Sequence, residues 1–109
     1  MSMDRAKQII KLFEKDSITV TAMGITNIRP LPKNQGIMFN VVGNRFKGLV
    51  KVRYDNLEDK YNIRYVPSGG GDVKEQMGIN EYDLVETLSD NVGQSPLVLD
   101  FLIDMYLIK

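Results

Sequence analysis

The residues best suited to chemistry in this chain are cations. Arg45, Lys47, Lys51, Arg53 and Arg64 share one side of two neighbouring strands if residues 45–54 and 61–66 are extended. Side chains two residues apart on a strand point the same way and lie about 6–7 Å from one another. A ladder of this kind suits phosphates, whose attraction to Lys and Arg is long-ranged and weakened by salt. Met23, Ile25, Met38, Leu49 and Val66 fall on the same side and add apolar surface to it. No aromatic residue is interleaved with the cations of the third strand, whereas sheets that read single-stranded RNA stack its bases on aromatic rings. Three readings follow: a solvated face, as antiparallel sheets often leave one side wet; a nucleic-acid surface; or a surface for a protein partner or covering helix.

Other chemistries are poorly supplied. There is no cysteine and no histidine. A disulfide framework, a thiol nucleophile and a cysteine-type zinc site are therefore excluded, and the commonest general base and metal ligand are missing. Serines and threonines are present without a histidine to activate them. No pattern singles out a lysine or carboxylate as a base. Asp55, Glu58 and Asp59 read as a solvated turn, because their spacing lacks the alternation and central glycine of a calcium loop. Asp100 and Asp104, one helical turn apart, have no third carboxylate at matching spacing. Gly43 and Gly48 have the glycine spacing of a phosphate-binding loop, but Leu49-Val50 stands where Lys and Ser/Thr are required. Gly69-Gly70-Gly71 reads as a hinge. No catalytic, cofactor-binding or metal-binding residue is assigned, and the chain is expected not to be an enzyme.

The elements that must position the cations are legible from periodicity. Ala6, Ile9, Ile10 and Phe13 recur at helical spacing, which predicts a helix over 4–15. Residues 17–28 alternate like a long strand, with Ile18, Val20 and Ile28 on the core parity. Residues 37–42 and 45–54 form a hairpin about Gly43-Asn44, a two-residue turn signal. That turn sets Val41 opposite Phe46 and Phe39 over Gly48. Residues 61–66 form the fourth strand, with Tyr54 opposite Tyr61, Val52 opposite Ile63 and Val50 opposite Tyr65. Both hairpins bury the same parity, and a one-residue slip would reverse every side chain. The predicted core also holds Ile37, Tyr54 and Phe46. Residues 67–79 read as a mobile linker. Residues 80–91 read as a helix, with Leu84, Val85, Leu88 and Val92 at helical spacing and Gly93 past its end. Ser95-Pro96 opens a second C-terminal helix that runs to about 108. The expected fold is α+β in two layers: an N-terminal helix, a four-stranded antiparallel meander sheet over 17–66 and two C-terminal helices over 80–108.

The 109 residues make one domain, 1–109, by length, and 43% apolar with 26% charged residues is ordinary globular usage. No apolar run of membrane length and no leader-like segment is visible, so a cytoplasmic protein is expected. Formal charge is zero but divided. Residues 1–66 hold twelve Lys and Arg against six Asp and Glu, and residues 67–109 hold two against eight. The last predicted helix is apolar nearly all round, which calls for burial on more than one side. Leu97, Phe101, Leu102, Met105 and Tyr106 are its candidate self-association surface. The expected function is a non-catalytic interaction or accessory domain that self-associates or binds a protein partner. The alternative is a nucleic-acid-binding module that uses the basic sheet face. No cofactor and no membrane partner is expected.

Overall fold

Ala6, Ile9 and Phe13 form the buried stripe of helix α1 (Arg5–Lys15). The computed structural model describes residues 5–95, and within them the class is α+β. A short helix α2 (Ser17–Ala22) follows α1 at once. Five strands then run in chain order: β1 (Thr26–Pro30), β2 (Gly36–Val42), β3 (Lys47–Asp55), β4 (Lys60–Pro67) and β5 (Lys74–Ile79). They form one antiparallel sheet with spatial order β1-β2-β3-β4-β5. A single 3-10 turn (Glu81–Asp83) leads into helix α3 (Leu84–Val92).

One core joins helices and sheet. Ala6, Ile9 and Phe13 of α1 and Leu84, Leu88 and Val92 of α3 meet Ile37, Phe39, Val41, Val50, Val52, Tyr61, Ile63 and Tyr65. These sheet residues all lie on one parity, so the described helices pack on a single face. Phe13 meets Phe39 edge to face at 5.7 Å, and the Arg5 guanidinium lies 3.5 Å over the Tyr54 ring. Edge-to-face rings and a cation over a ring both exploit the aromatic quadrupole.

The structure corrects the expected layout in five places. The sheet has five strands, not four. The segment 17–28 is not one long strand: residues 17–22 are helical and only residues from 26 onward are extended. Ala22 and Met23 are buried there, while Ile18 is 63% and Ile28 45% exposed, so neither isoleucine belongs to the core. Packing of α2 against α3 overrides the strand preference of Ile18, Thr19, Val20 and Thr21. The segment 67–79 is not a linker, since its second half is β5, paired to β4 through Tyr65–Lys74, Arg64–Glu75 and Ile63–Gln76. The helix expected over 80–91 starts only at Leu84, after the 3-10 turn. The fifth correction is the β2–β3 register. Val41 faces Gly48 and Phe39 faces Val50, a shift of two residues that preserves every facing. The helix expected over 96–108 lies outside the described residues, as do Leu97, Phe101, Leu102, Met105 and Tyr106.

The register shift has a local cause. Gly43, Asn44, Arg45 and Phe46 form a four-residue loop moored to the end of α3 in place of a two-residue turn. Asn44 N–H donates to Gln94 O at 2.8 Å, and Arg45 and Phe46 N–H both donate to Val92 O at 3.0 and 3.2 Å. These bonds satisfy carbonyls that the end of a helix leaves open. The loop also lets Phe46, rather than Phe39, cover Gly48. A Cβ at Gly48 would stand 3.1 Å from Phe46 Cζ and 2.2 Å from Val66 O. Among the described residues, no helix is long and apolar enough to cross a membrane.

Candidate functional site: a basic groove on the outer sheet face

The strand pairing fixes a row of residues across the outer face of the sheet. Arg29 pairs with Met38, Met38 with Lys51, Lys51 with Arg64, and Arg64 with Glu75. Paired residues share a face, and adjacent strands are about 4.8 Å apart. Lys51 and Arg64 therefore stand side by side. Arg53, two residues along β3, pairs with Gly36 on one side and Asn62 on the other. Gly36 puts no side chain beside Arg53, and its backbone lies close against β3: a Cβ there would stand 1.9 Å from Val52 O. Arg53, Arg64 and Lys47 are exposed and Lys51 is half-buried.

Lys51, Arg53, Asn62 and Arg64 floor a groove of about 350 Å³. Leu31, Pro32 and Gln35, in the connection between β1 and β2, wall one side. Glu75 and Met77 of β5 wall the other. The 3-10 turn Pro32–Asn34 raises the first wall, with Lys33 at positive φ. Met77 is 64% exposed. The groove is thus cationic below, with Leu31, Pro32 and Met77 beside Gln35 and Glu75 at its rims.

The cations differ in what they already hold. Arg64 Nε lies 4.0 Å from Glu75 Oε1, and both side chains are about half exposed. Such a pair contributes little, typically ~0–1 kcal/mol. Among the described residues, Lys51 and Arg53 have no hydrogen-bond or ion-pair partner. Arg29 donates to Asn27 O at 2.7 Å and reaches Asn40 Oδ1 at 3.5 Å, which fixes it to β1 and β2.

Arg45 does not belong to this set. It lies before β3 begins, in the loop on the end of α3, and its guanidinium donates to Asp90 O at 2.9 Å. It satisfies a helix C-terminal carbonyl, a position that favours a cation. Lys47 keeps the expected parity but sits at the far end of β3, away from the groove. Met23, expected on the basic face, is fully buried in the core. Leu31, Pro32, Gln35, Asn62, Glu75 and Met77 are groove residues that sequence reasoning missed. The signal for Leu31 and Pro32 was the Arg29-Pro30-Leu31-Pro32 run, since proline is tolerated on an edge strand. Glu75 and Met77 went unnoticed because β5 was read as linker.

The aromatic residues support the expectation drawn from their spacing. Phe39, Tyr61 and Tyr65 are buried on the inner face, and Tyr54 packs edge to face on Tyr61 at 5.4 Å. Burial raises Tyr65 well above the ordinary tyrosine range and pushes Tyr61 up as well. Tyr65 OH donates to Gln76 Oε1 at 2.7 Å, so this polar end is satisfied inside the fold. The turn Asp55–Lys60 is held by its own side chains: Leu57 N–H donates to Asp55 Oδ1 at 3.0 Å, and Tyr54 OH donates to Asp59. No group of acidic residues suited to a metal ion occurs among the described residues.

Compared with protein-family models, with curated proteins and with solved structures, the chain shows no match.

Proposed function

We propose that the chain is a non-catalytic protein-interaction module that holds an acidic segment of a protein partner in the groove on the outer face of its sheet. The carrying observation is the pair Lys51 and Arg53, without a partner among the described residues, on the floor of a groove that has Leu31, Pro32 and Met77 at its rims. A cation left open to solvent beside low-dielectric walls attracts an opposite charge more strongly than one on a flat polar surface. Leu31, Pro32 and Met77 offer apolar contact, which a protein segment uses and a sugar–phosphate backbone does not. Phe39, Tyr61 and Tyr65 of the sheet are turned into the core rather than toward the groove, which weighs against single-stranded nucleic acid.

The test is fluorescence anisotropy with two labelled probes, a glutamate-rich peptide and a single-stranded DNA oligonucleotide, at low and physiological salt. The peptide is expected to bind in a salt-sensitive way. Lys51→Glu with Arg53→Glu is expected to weaken it by more than roughly tenfold, since a charge-assisted bond contributes about 1.5–3 kcal/mol. Tighter binding of the oligonucleotide, or peptide binding indifferent to the double reversal, contradicts the proposal.

A further inference from the structure

We infer that the groove selects an extended segment with carboxylates on alternate residues, and that Glu75 is a built-in competitor for that segment. The inference rests on the function proposed above. Lys51 and Arg53 occupy alternate positions of one strand and face the same way. Their spacing along β3, about 6.7 Å, is also the repeat of alternate side chains in any extended peptide. A segment laid along β3 with acids at every second residue brings one carboxylate to each cation, and its intervening residues point away from the floor. The volume of about 350 Å³ takes a few side chains. Arg53 presents a planar fork that can grip a carboxylate with two parallel bonds, a geometry a lysine lacks.

Glu75 gives the site its threshold. It stands opposite Arg64 in the β4–β5 pairing and lines the groove. Its contact with Arg64 is long, at 4.0 Å, and half exposed. An incoming carboxylate can displace it to reach Arg64, but must overcome its negative charge. Ligands with a single acid gain too little to do so, whereas a segment that engages Lys51 and Arg53 at once can. Glu75 thus raises the affinity that any acidic segment must reach to occupy the groove.

The test uses the full chain and three labelled probes: a peptide with Asp at alternate positions, a peptide of the same composition with Asp at every third position, so that successive acids fall on opposite faces of an extended chain, and a single-stranded oligonucleotide. The alternating peptide is expected to bind about tenfold tighter than its isomer, the worth of one extra charge-assisted contact. Arg53→Ala is expected to lose roughly tenfold on the alternating peptide, and Glu75→Gln to gain about threefold, the scale of one exposed ion pair. Arg45→Ala, outside the groove, leaves binding unchanged. Equal binding of the two isomers, or no gain with Glu75→Gln, overturns this inference and leaves the proposed function standing. Failure of both peptides to bind, or preference for the oligonucleotide, overturns both.

Discussion

Arg53 and Arg64 are alike in exposure and opposite in circumstance. Arg64 leans on Glu75, while Arg53 lies between the backbone of Gly36 and Asn62 with no ion-pair partner among the described residues. That difference makes Arg53 the stronger recruiter of an outside anion. Tyr65 shows the reverse arrangement, a polar group closed into the core. Its proton is held more tightly in the folded than in the unfolded chain, because burial raises its pKa. The unfolded tyrosine begins to ionise near its ordinary value of about 10. Stability is therefore unaffected by this group below that pH and falls as pH rises beyond it. Urea titrations between neutral and strongly alkaline pH are expected to show the decline. Tyr65→Phe should make it shallower, with Tyr61, also pushed up by burial, keeping its share, and cost about 1 kcal/mol at neutral pH through the lost bond to Gln76. An unchanged alkaline slope in the variant would remove Tyr65 from the account. Arg45 carries a lesson at the same scale. Its strand-like spacing matched Lys47, but a residue beside a turn is free to leave the sheet, and the open carbonyls of α3 drew it there.

At the scale of elements, the loop Gly43–Phe46 connects the sheet to α3 and sets the β2–β3 register. A Cβ at Gly43 would stand 2.0 Å from Val92 O. Gly43→Ala must push the loop off the helix end, and it is expected to cost about 1–3 kcal/mol, the usual range for overpacking. A thermal melt that matches the native chain would show that the mooring is dispensable. The register of the β3–β4 hairpin was legible from sequence: Tyr54–Tyr61, Val52–Ile63 and Val50–Tyr65 pair as expected, although the strands run over Lys47–Asp55 and Lys60–Pro67 instead of 45–54 and 61–66. Apolar residues alternate without interruption on both of its strands. The β2–β3 hairpin was legible only in parity, because Gly43-Asn44 resembles a tight turn and its contact with α3 is long-range. β5 was invisible for a different reason. It is an edge strand buried on neither side along most of its length, so Lys74-Glu75-Gln76-Met77 shows no apolar alternation. Residues 17–22 show the opposite failure, β-branched residues held in a helix by their neighbours.

Across the whole molecule, the division of charge between the two halves of the sequence becomes partly spatial. The outer face carries Arg29, Lys47, Lys51, Arg53, Lys60 and Arg64 against Asp55 and Glu75, whereas the 3-10 turn Glu81–Asp83 and α3 contain acids and no base. The positive face was thus foreseeable from alternation alone. The groove was not, since its walls come from a proline-rich connection and an edge strand whose places depend on pairing with the rest of the sheet. The central claim is that an acidic segment occupies this groove. The most direct measurement is a two-dimensional amide NMR titration of the native chain with the alternating acidic peptide. The account predicts shift changes confined to Arg29, Gln35, Lys51, Arg53, Asn62, Arg64, Glu75 and their immediate neighbours, and lost in the Lys51→Glu, Arg53→Glu chain. Shift changes centred on α1 or α3, with those amides unmoved, would contradict it.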